Sequence, residues 1–363
     1  METEKPKYGI CRFNNIGGVT CYMNSILHIL QQIPIFADYV YTGAYSKEIK
    51  EKYNEENIKS LVCYELFRLF NASMNNDDIA ITPTSFKQII GKKNDIWNEF
   101  NHQDSQEFLS FLISTLEEEI GNHVEFVPKL LPVDSKPCPL NMLATIAWQN
   151  FQKKEYSPLK EIFNGMTYIE TKCNCCANMS TNFEPFTTLQ VAIPMDPKKD
   201  TFKDFTINEC LDHFSKQEQL DKDNLYNCDM CGLKNRGFKK TQIWKTPKVL
   251  IIHIKRFLVN NFGIRTQKLI NNVEYPIYDF DISEYIHPDS PDKSKSKYNL
   301  IGVNLHQEFG YFGTNSGHYT SLVKSRHDNN WYLYNDGSEP IKASKKEHIQ
   351  NRNAYLLFYY RND

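Results

Sequence analysis

Val19-Thr20-Cys21-Tyr22-Met23-Asn24-Ser25, continued by Ile26-Leu27-His28-Ile29-Leu30, is the stretch on which the reading of this chain turns. Gly17-Gly18 precede it, and glycine lets a backbone take positive φ and turn tightly. After Cys21 the apolar residues Met23, Ile26, Leu27 and Leu30 follow helical spacing, and Pro34 lies beyond the helix end. Cys21 therefore opens a buried helix directly after a glycine turn. Unpaired N–H groups and the positive end of the helix dipole favour a thiolate there, the setting of a nucleophilic cysteine. A lone cysteine in this position reads more often as a small core residue opening a helix, and only a partner elsewhere in the chain favours the catalytic reading.

The 363 residues suffice for one large domain or two to three lobes with a substantial core. A net charge of -2 excludes a global attraction to nucleic acid or anionic membranes. Met1 to Pro6 lacks the apolar run of a secretory signal, and no stretch reaches the roughly 18 to 20 apolar residues of a membrane span. An intracellular protein, cytoplasmic or nuclear and not secreted, is expected. Its ten cysteines then read as catalytic or metal-binding rather than as a disulfide framework.

Ile58, Leu61, Val62, Leu66, Leu69 and Phe70 mark a second helix, ended by Asn75-Asn76-Asp77-Asp78, and residues 37–60 read as a loop with an exposed helix. Thr82-Pro83 predicts a helix start with Thr82 as N-cap. Asn101-His102-Gln103-Asp104-Ser105-Gln106-Glu107 opens a helix carrying Phe108, Phe111, Leu112, Ile113, Leu116 and Ile120, with Gly121 closing it. A connector with Pro128, Pro132, Pro137 and Pro139 follows. From about residue 158 the texture becomes β, with strands expected at 163–171, 186–193, 241–245, 249–254, 299–305, 318–324, 331–334 and 355–360. Ile207 to Phe214 reads as a short helix capped by Thr206, and residues 286–297 as a mobile surface loop.

Cys173 and Cys176 form one C-x-x-C, and Cys228 and Cys231 a second. Two intervening residues let a tight turn present both sulfurs to one ion, and two such turns complete a four-cysteine zinc site. A C-x-C pairing through the spare Cys175 suits the turn less well. Four sulfurs leave no open coordination position, so the zinc is expected to be structural.

A cysteine hydrolase needs a base beside the thiol and a third group to orient the base. His318 lies in Gly317-His318-Tyr319-Thr320, where a glycine turn enters a strand. Downstream, Trp331-Tyr332-Leu333-Tyr334 runs into Asn335-Asp336-Gly337, whose Asn or Asp can accept from an imidazole N–H.

With these residues in view, the chain resembles the ubiquitin-specific protease family of papain-like deubiquitinating enzymes, from about Asn14 to Tyr360. The Cys21 stretch is similar to the cysteine box of that family and His102 to Phe108 to its Gln-Asp segment. The paired C-x-x-C turns resemble its fingers zinc site, and Pro247 to Phe257 the strand after it. Tyr298 to Val303, His306, Gly317-His318-Tyr319 and Trp331 to Asp336 resemble its histidine box. The resemblance implies an α+β fold: a helical thumb (about 10–125), an antiparallel β palm (about 126–165 and 242–363) and zinc-ribbon β fingers (about 166–241), all in one catalytic domain over 10–363. It implies Cys21 as nucleophile, His318 as base, Asn335 as the third triad member and Asp336 as its helper or substitute. Asp104, Gln106, Glu107, His306 and Tyr319 are the implied ubiquitin contacts.

The family usually carries an oxyanion-donor Asn five residues before the nucleophile. Here Ile16 holds that place and Asn15 lies one residue further away, which reads as a one-residue insertion that a bulge at the glycines can absorb. Glu308 replaces the usual Gly two residues after His306. The implied activity is hydrolysis of the bond after the C-terminal Gly of ubiquitin through an acyl-enzyme on Cys21. The alternatives are a catalytically impaired ubiquitin-binding module and a protease for another ubiquitin-like modifier. Structural zinc and no organic cofactor are expected, with ubiquitin and ubiquitinated proteins as partners, no nucleic acid or membrane, and a monomeric chain.

Overall fold

The computed structural model describes residues 11–75, 79–124, 138–153, 155–196, 199–200, 202–221, 224–259, 265–308 and 317–362. Its first helix is Cys21–Leu30, buried at every position. A helix that is buried all round belongs at the centre of a core. It lies between the Ser105–Ile120 helix on one side and the strands Lys297–Glu308 and Gly317–Lys324 on the other. Around it stand Pro34–Tyr41, Tyr45–Lys52, Glu55–Ile58, Val62–Asn75 and Thr84–Lys93, which complete a helical lobe.

Local chemistry moves several expected boundaries. Pro34 opens the next helix at its first position, where a missing N–H costs nothing. Residues 37–60 form parts of three short helices, not one. Thr82 does not cap; its Oγ1 accepts from Asn14 Nδ2 at 2.9 Å, and the helix begins at Thr84. Gly121 leaves its helix in an extended conformation (φ -66, ψ 145), because the chain enters a bridge between Asn122 and Tyr156 at once. Residues 76–78 and the prolines 128, 132 and 137 lie outside the described residues. Beyond Pro139 the connector becomes a helix, Leu140–Gln152.

The main sheet runs in the order Ile341–Lys342, Trp331–Tyr334, Gly317–Lys324, Lys297–Glu308, Ala354–Arg361, Val249–Lys255 and Thr188–Ala192. All neighbours are antiparallel except the last pair, which is parallel and so departs from a purely antiparallel palm. Side chains of a strand alternate between faces. Val249 and Ile251 pack against the helical lobe while Leu250, Ile252 and Ile254 pack on the opposite face. Burial on both faces explains why residues 249–254 form an unbroken apolar run.

A second sheet of Met179–Phe186, Gly165–Cys173, Gly237–Lys245 and Glu218–Leu220 carries the first cysteine turn, and a separate hairpin of Tyr226–Asn227 and Lys234–Asn235 carries the second. Met166, Tyr168, Phe183 and Trp244 at its base pack against Ala144 of the Leu140–Gln152 helix. Residues 166–241 are not all in this sheet. Thr188–Ala192 joins the main sheet, and the Ile207–Ser215 helix, capped by Thr206 in a capping box with Glu209, packs its Ile207, Cys210 and Leu211 into the main sheet's core. Apolar Leu189 and Val191 draw that excursion back to the palm.

The 286–297 loop is pinned rather than mobile. Asp292 is buried and accepts from Thr246 N at 3.0 Å, and Ser290 Oγ donates to the Trp244 carbonyl. Among the described residues, no helix is long and apolar enough to cross a membrane.

Candidate active site

The glycine pair does what its composition allows. Gly17 (φ 64) and Gly18 (φ 75) take the left-handed conformation and turn the chain into the helix. Across this turn Asn15 Oδ1 accepts from Thr20 N at 2.9 Å, and Thr20 Oγ1 accepts from Ile16 N at 2.8 Å. Asn15 is thereby tied across the glycine turn to the residue before Cys21.

Cys21 is the first residue of its helix and is 1% exposed. Burial pushes its thiol up to about 11, the Asp336 carboxylate adds to the rise, and hydrogen bonding to the Tyr319 backbone opposes it. The helix terminus alone does not produce a thiolate in the resting protein, because desolvation of the charged sulfur outweighs it.

The Gly317–Lys324 strand brings His318 to the same seam. His318 Nε2 lies 2.6 Å from Asn335 Oδ1 and 3.9 Å from Asp336 Oδ2. Asp336 has φ 48, a conformation that short polar side chains tolerate. Its Oδ2 accepts from Asn15 Nδ2 at 2.9 Å and its Oδ1 from Asn24 Nδ2 at 2.8 Å. Asp336 thus ties the turn before Cys21, the helix after it and the turn that holds His318.

Asn24 is the residue that motif reading passed over. It is buried, and its Nδ2 also reaches the Phe13 carbonyl at 3.1 Å. The available signal was an amide three residues after Cys21 on a helix buried all round.

The expected contact residues divide. Asp104 is 6% exposed and its carboxylate is engaged internally. Oδ1 caps the Ser105–Ile120 helix at Gln106 N (2.8 Å), and Oδ2 accepts from Tyr355 OH at 2.8 Å. His306 and Tyr319 are also buried; their rings pack at 4.6 Å, with Phe257 and Tyr355 around His306, so they form wall rather than open surface. Gln106 Nε2 donates to Ser110 Oγ at 2.9 Å, and Glu107 is exposed. The loop shape expected to follow Glu308 lies outside the described residues.

Cys173, Cys176, Cys228 and Cys231 come together, with their sulfurs all within 4.8 Å of one another. Cys173 and Cys231 lie 3.9 Å apart and Cys176 and Cys228 3.6 Å. Tetrahedral zinc with Zn–S near 2.3 Å needs sulfurs about 3.8 Å apart, so the donor set fits that ion. The Gly232 backbone (φ 67) closes the second turn onto the Cys228 carbonyl, and Asn235 Nδ2 donates to Cys173 Sγ at 3.4 Å. Cys175 is exposed and stays outside the cluster.

A thiol at a helix start, an imidazole on the strand packed against that helix and an Asn amide on the imidazole Nε2 are groups suited to thiol-based acyl transfer. The ubiquitin carboxyl-terminal hydrolase family model matches residues 11–359, and the chain belongs to that family. It is 31% identical over 356 residues to ubiquitin carboxyl-terminal hydrolase 2 of Homo sapiens, covering 98% of this chain and 56% of that protein. Against the Gallus gallus protein of the same name it is 31% identical, covering 98% of this chain and 95% of the relative. The chain thus spans little more than half the length of the human, rat and bovine relatives. Among solved structures it is similar to the SAGA Ubp8/Sgf11/Sus1/Sgf73 DUB module bound to ubiquitin aldehyde, with a TM-score of 0.72 and 24% identity over 99% of this chain and 71% of that one.

Proposed function

We propose that this chain is a thiol-dependent deubiquitinase that hydrolyses the bond after the C-terminal Gly of ubiquitin, with Cys21 as nucleophile. The observation that carries the reading is the meeting of the Cys21 helix with the strand bearing His318, whose Nε2 is held by Asn335 at 2.6 Å. Asn335 Oδ1 is an acceptor, so Nε2 carries the proton and Nδ1 the lone pair. Nδ1 takes the proton from Cys21 as sulfur attacks the carbonyl, then returns it to the leaving amine. Water activated by the same nitrogen releases the acyl group.

Asn15 has its oxygen on Thr20 and one N–H on Asp336, which leaves its second N–H to donate to the oxyanion together with the Cys21 backbone. This arrangement supports Asn15 as the donor and weighs against an impaired-site reading, which was motivated by Ile16 standing in the usual donor position.

Similar structures include one bound to ubiquitin aldehyde and one bound to monoubiquitin, which supports ubiquitin as the substrate class. The cleft between helical thumb and β palm would take its flexible tail, with Gln106 and Glu107 as candidate contacts. Cys173, Cys176, Cys228 and Cys231 would hold structural zinc, which ties the ends of two hairpins that have little core of their own. Ten cysteines with no disulfide among the described residues suit a reducing intracellular compartment, and the catalytic unit is proposed to act as a monomer.

The test is reaction with ubiquitin carrying a thiol-reactive electrophile at its C-terminus. A one-to-one adduct with the parent and none with Cys21→Ala is expected. No adduct with folded, zinc-loaded parent overturns the reading.

A further inference from the structure

Three side chains outside the Cys21–His318–Asn335 cluster form a continuous polar chain through the seam between helical lobe and sheet. Ser105 Oγ donates to Asn304 Oδ1 at 2.8 Å. Asn304 Nδ2 donates to Ser25 Oγ at 2.8 Å. Ser25 Oγ donates to the Tyr22 carbonyl at 3.1 Å, one residue past the nucleophile. Ser105 and Asn304 are 0% exposed and Ser25 is 2% exposed.

The three residues come from three elements. Ser105 starts the helix capped by Asp104, Asn304 lies in the Lys297–Glu308 strand, and Ser25 is one turn after Cys21. The strand register links them to the base: Asn304 pairs with Ser321 and Gln307 with His318. One turn beyond Ser25, Ile29 packs on Gly302, where a Cβ would stand 2.6 Å from Ile29 Cγ2. Ser25 and Ile29 share one helix face, and Gly302 and Asn304 share one strand face. Apolar burial is non-directional and favours contact without selecting one set of partners. A satisfied buried hydrogen-bond chain has one geometry, and leaving any member unpaired is costly.

We infer that Ser25, Asn304 and Ser105 are positioning residues that set the offset between the Cys21 helix and the His318 strand. Their function is catalytic register rather than stability, since a buried polar group can be exchanged for apolar side chains with little loss when every partner is removed together. The inference rests on the hydrolase reading for its turnover measurement, but not for its geometry.

The test is the combined Ser25→Ala, Asn304→Leu, Ser105→Ala variant in the full chain, with Ser105→Ala alone as the milder change. Two readouts are taken. The first is kcat and KM on ubiquitin bearing a C-terminal fluorogenic amide. The second is the rate of Cys21 alkylation by iodoacetamide, followed by peptide mapping, with and without His318→Ala. A folded variant is expected to lose about 10- to 100-fold in kcat with KM little changed, because small misplacement of reacting groups acts on the chemical step. The dependence of Cys21 alkylation on His318 is expected to vanish as well. Unchanged kcat with a lowered melting temperature, or an unchanged dependence on His318, overturns the inference. A parent that never turns over the ubiquitin substrate sinks the deubiquitinase reading instead, and the alkylation comparison still decides the register.

Discussion

Asn24 Nδ2 donates to Asp336 Oδ1 at 2.8 Å, joining the helix that carries Cys21 to the turn that holds His318. The other Asp336 oxygen accepts from Asn15. Asp336→Ala removes both contacts at once and leaves the buried Asn24 amide only the longer bonds to the Phe13 and Asn14 carbonyls. A fall of roughly 10- to 100-fold in kcat is expected, together with about 1 to 3 kcal/mol of stability. Parental kcat in this variant would show that Asn335 orients His318 without the clamp.

The thiol of Cys21 is pushed up to about 11, above its usual 9.0. In the free protein, alkylation of Cys21 should therefore keep rising with pH towards that midpoint. A plateau already at neutral pH, the mark of a preformed thiolate, would contradict the burial argument. The unfolded thiol ionises first, so the stability contribution is complete below pH 9 and is lost as pH rises towards 11.

His28 is buried between Phe13 and Tyr334, with ring centroids at 4.8 and 4.4 Å, and burial lowers its pKa to about 3. The unfolded chain takes up a proton near pH 6.5 that the folded chain refuses. Stability linked to His28 is therefore present above pH 6.5 and lost as pH falls towards 3. His28→Phe should flatten the acid limb of a melting-temperature profile. An acid limb identical to the parent's would assign the loss to carboxylates.

Zinc removal tests the four-cysteine cluster. Elemental analysis should find one zinc per chain, lost in Cys173→Ser and on treatment with a mercurial plus chelator. Ubiquitin engagement should fall with it, since the hairpins at the far end of the second sheet lose their tie. Full zinc content in Cys176→Ser would point to Cys175 as a replacement ligand.

Gly317 precedes His318, and a Cβ there would run into the His306 ring. Gly317→Ala must displace either that ring or the strand end. Activity should drop at least about tenfold with the fold intact, as expected for a misplaced base. An unchanged rate would mean that the His306 ring can swing aside freely.

Much of the site was readable in motifs because its chemistry is local. A glycine turn before a helix places Cys21, a glycine before a strand places His318, and paired C-x-x-C turns gather four sulfurs; each needs only a few consecutive residues. The Thr206 cap and the apolar run at 249–254 were legible for the same reason. The Leu140–Gln152 helix was hidden by the prolines before it. The return of Thr188–Ala192 to the main sheet, and of the Ile207–Ser215 helix to its core, was hidden by their position between the two cysteine turns. The 286–297 loop looked mobile from composition, yet Asp292 and Ser290 fasten it to backbone groups of residues 244–246, far away in sequence.

The sequence by itself determined the family and singled out Cys21, His318 and the four cysteines as candidates for nucleophile, base and metal ligands, since these depend on residue type and short spacing. Tertiary structure decided the state of the site. Burial, not the helix terminus, governs the Cys21 proton, because desolvation depends on everything packed around the sulfur. The Asp336 clamp and the Ser25–Asn304–Ser105 chain join residues up to 321 positions apart. No local pattern encodes such contacts; they exist only once the helical lobe has docked on the sheet.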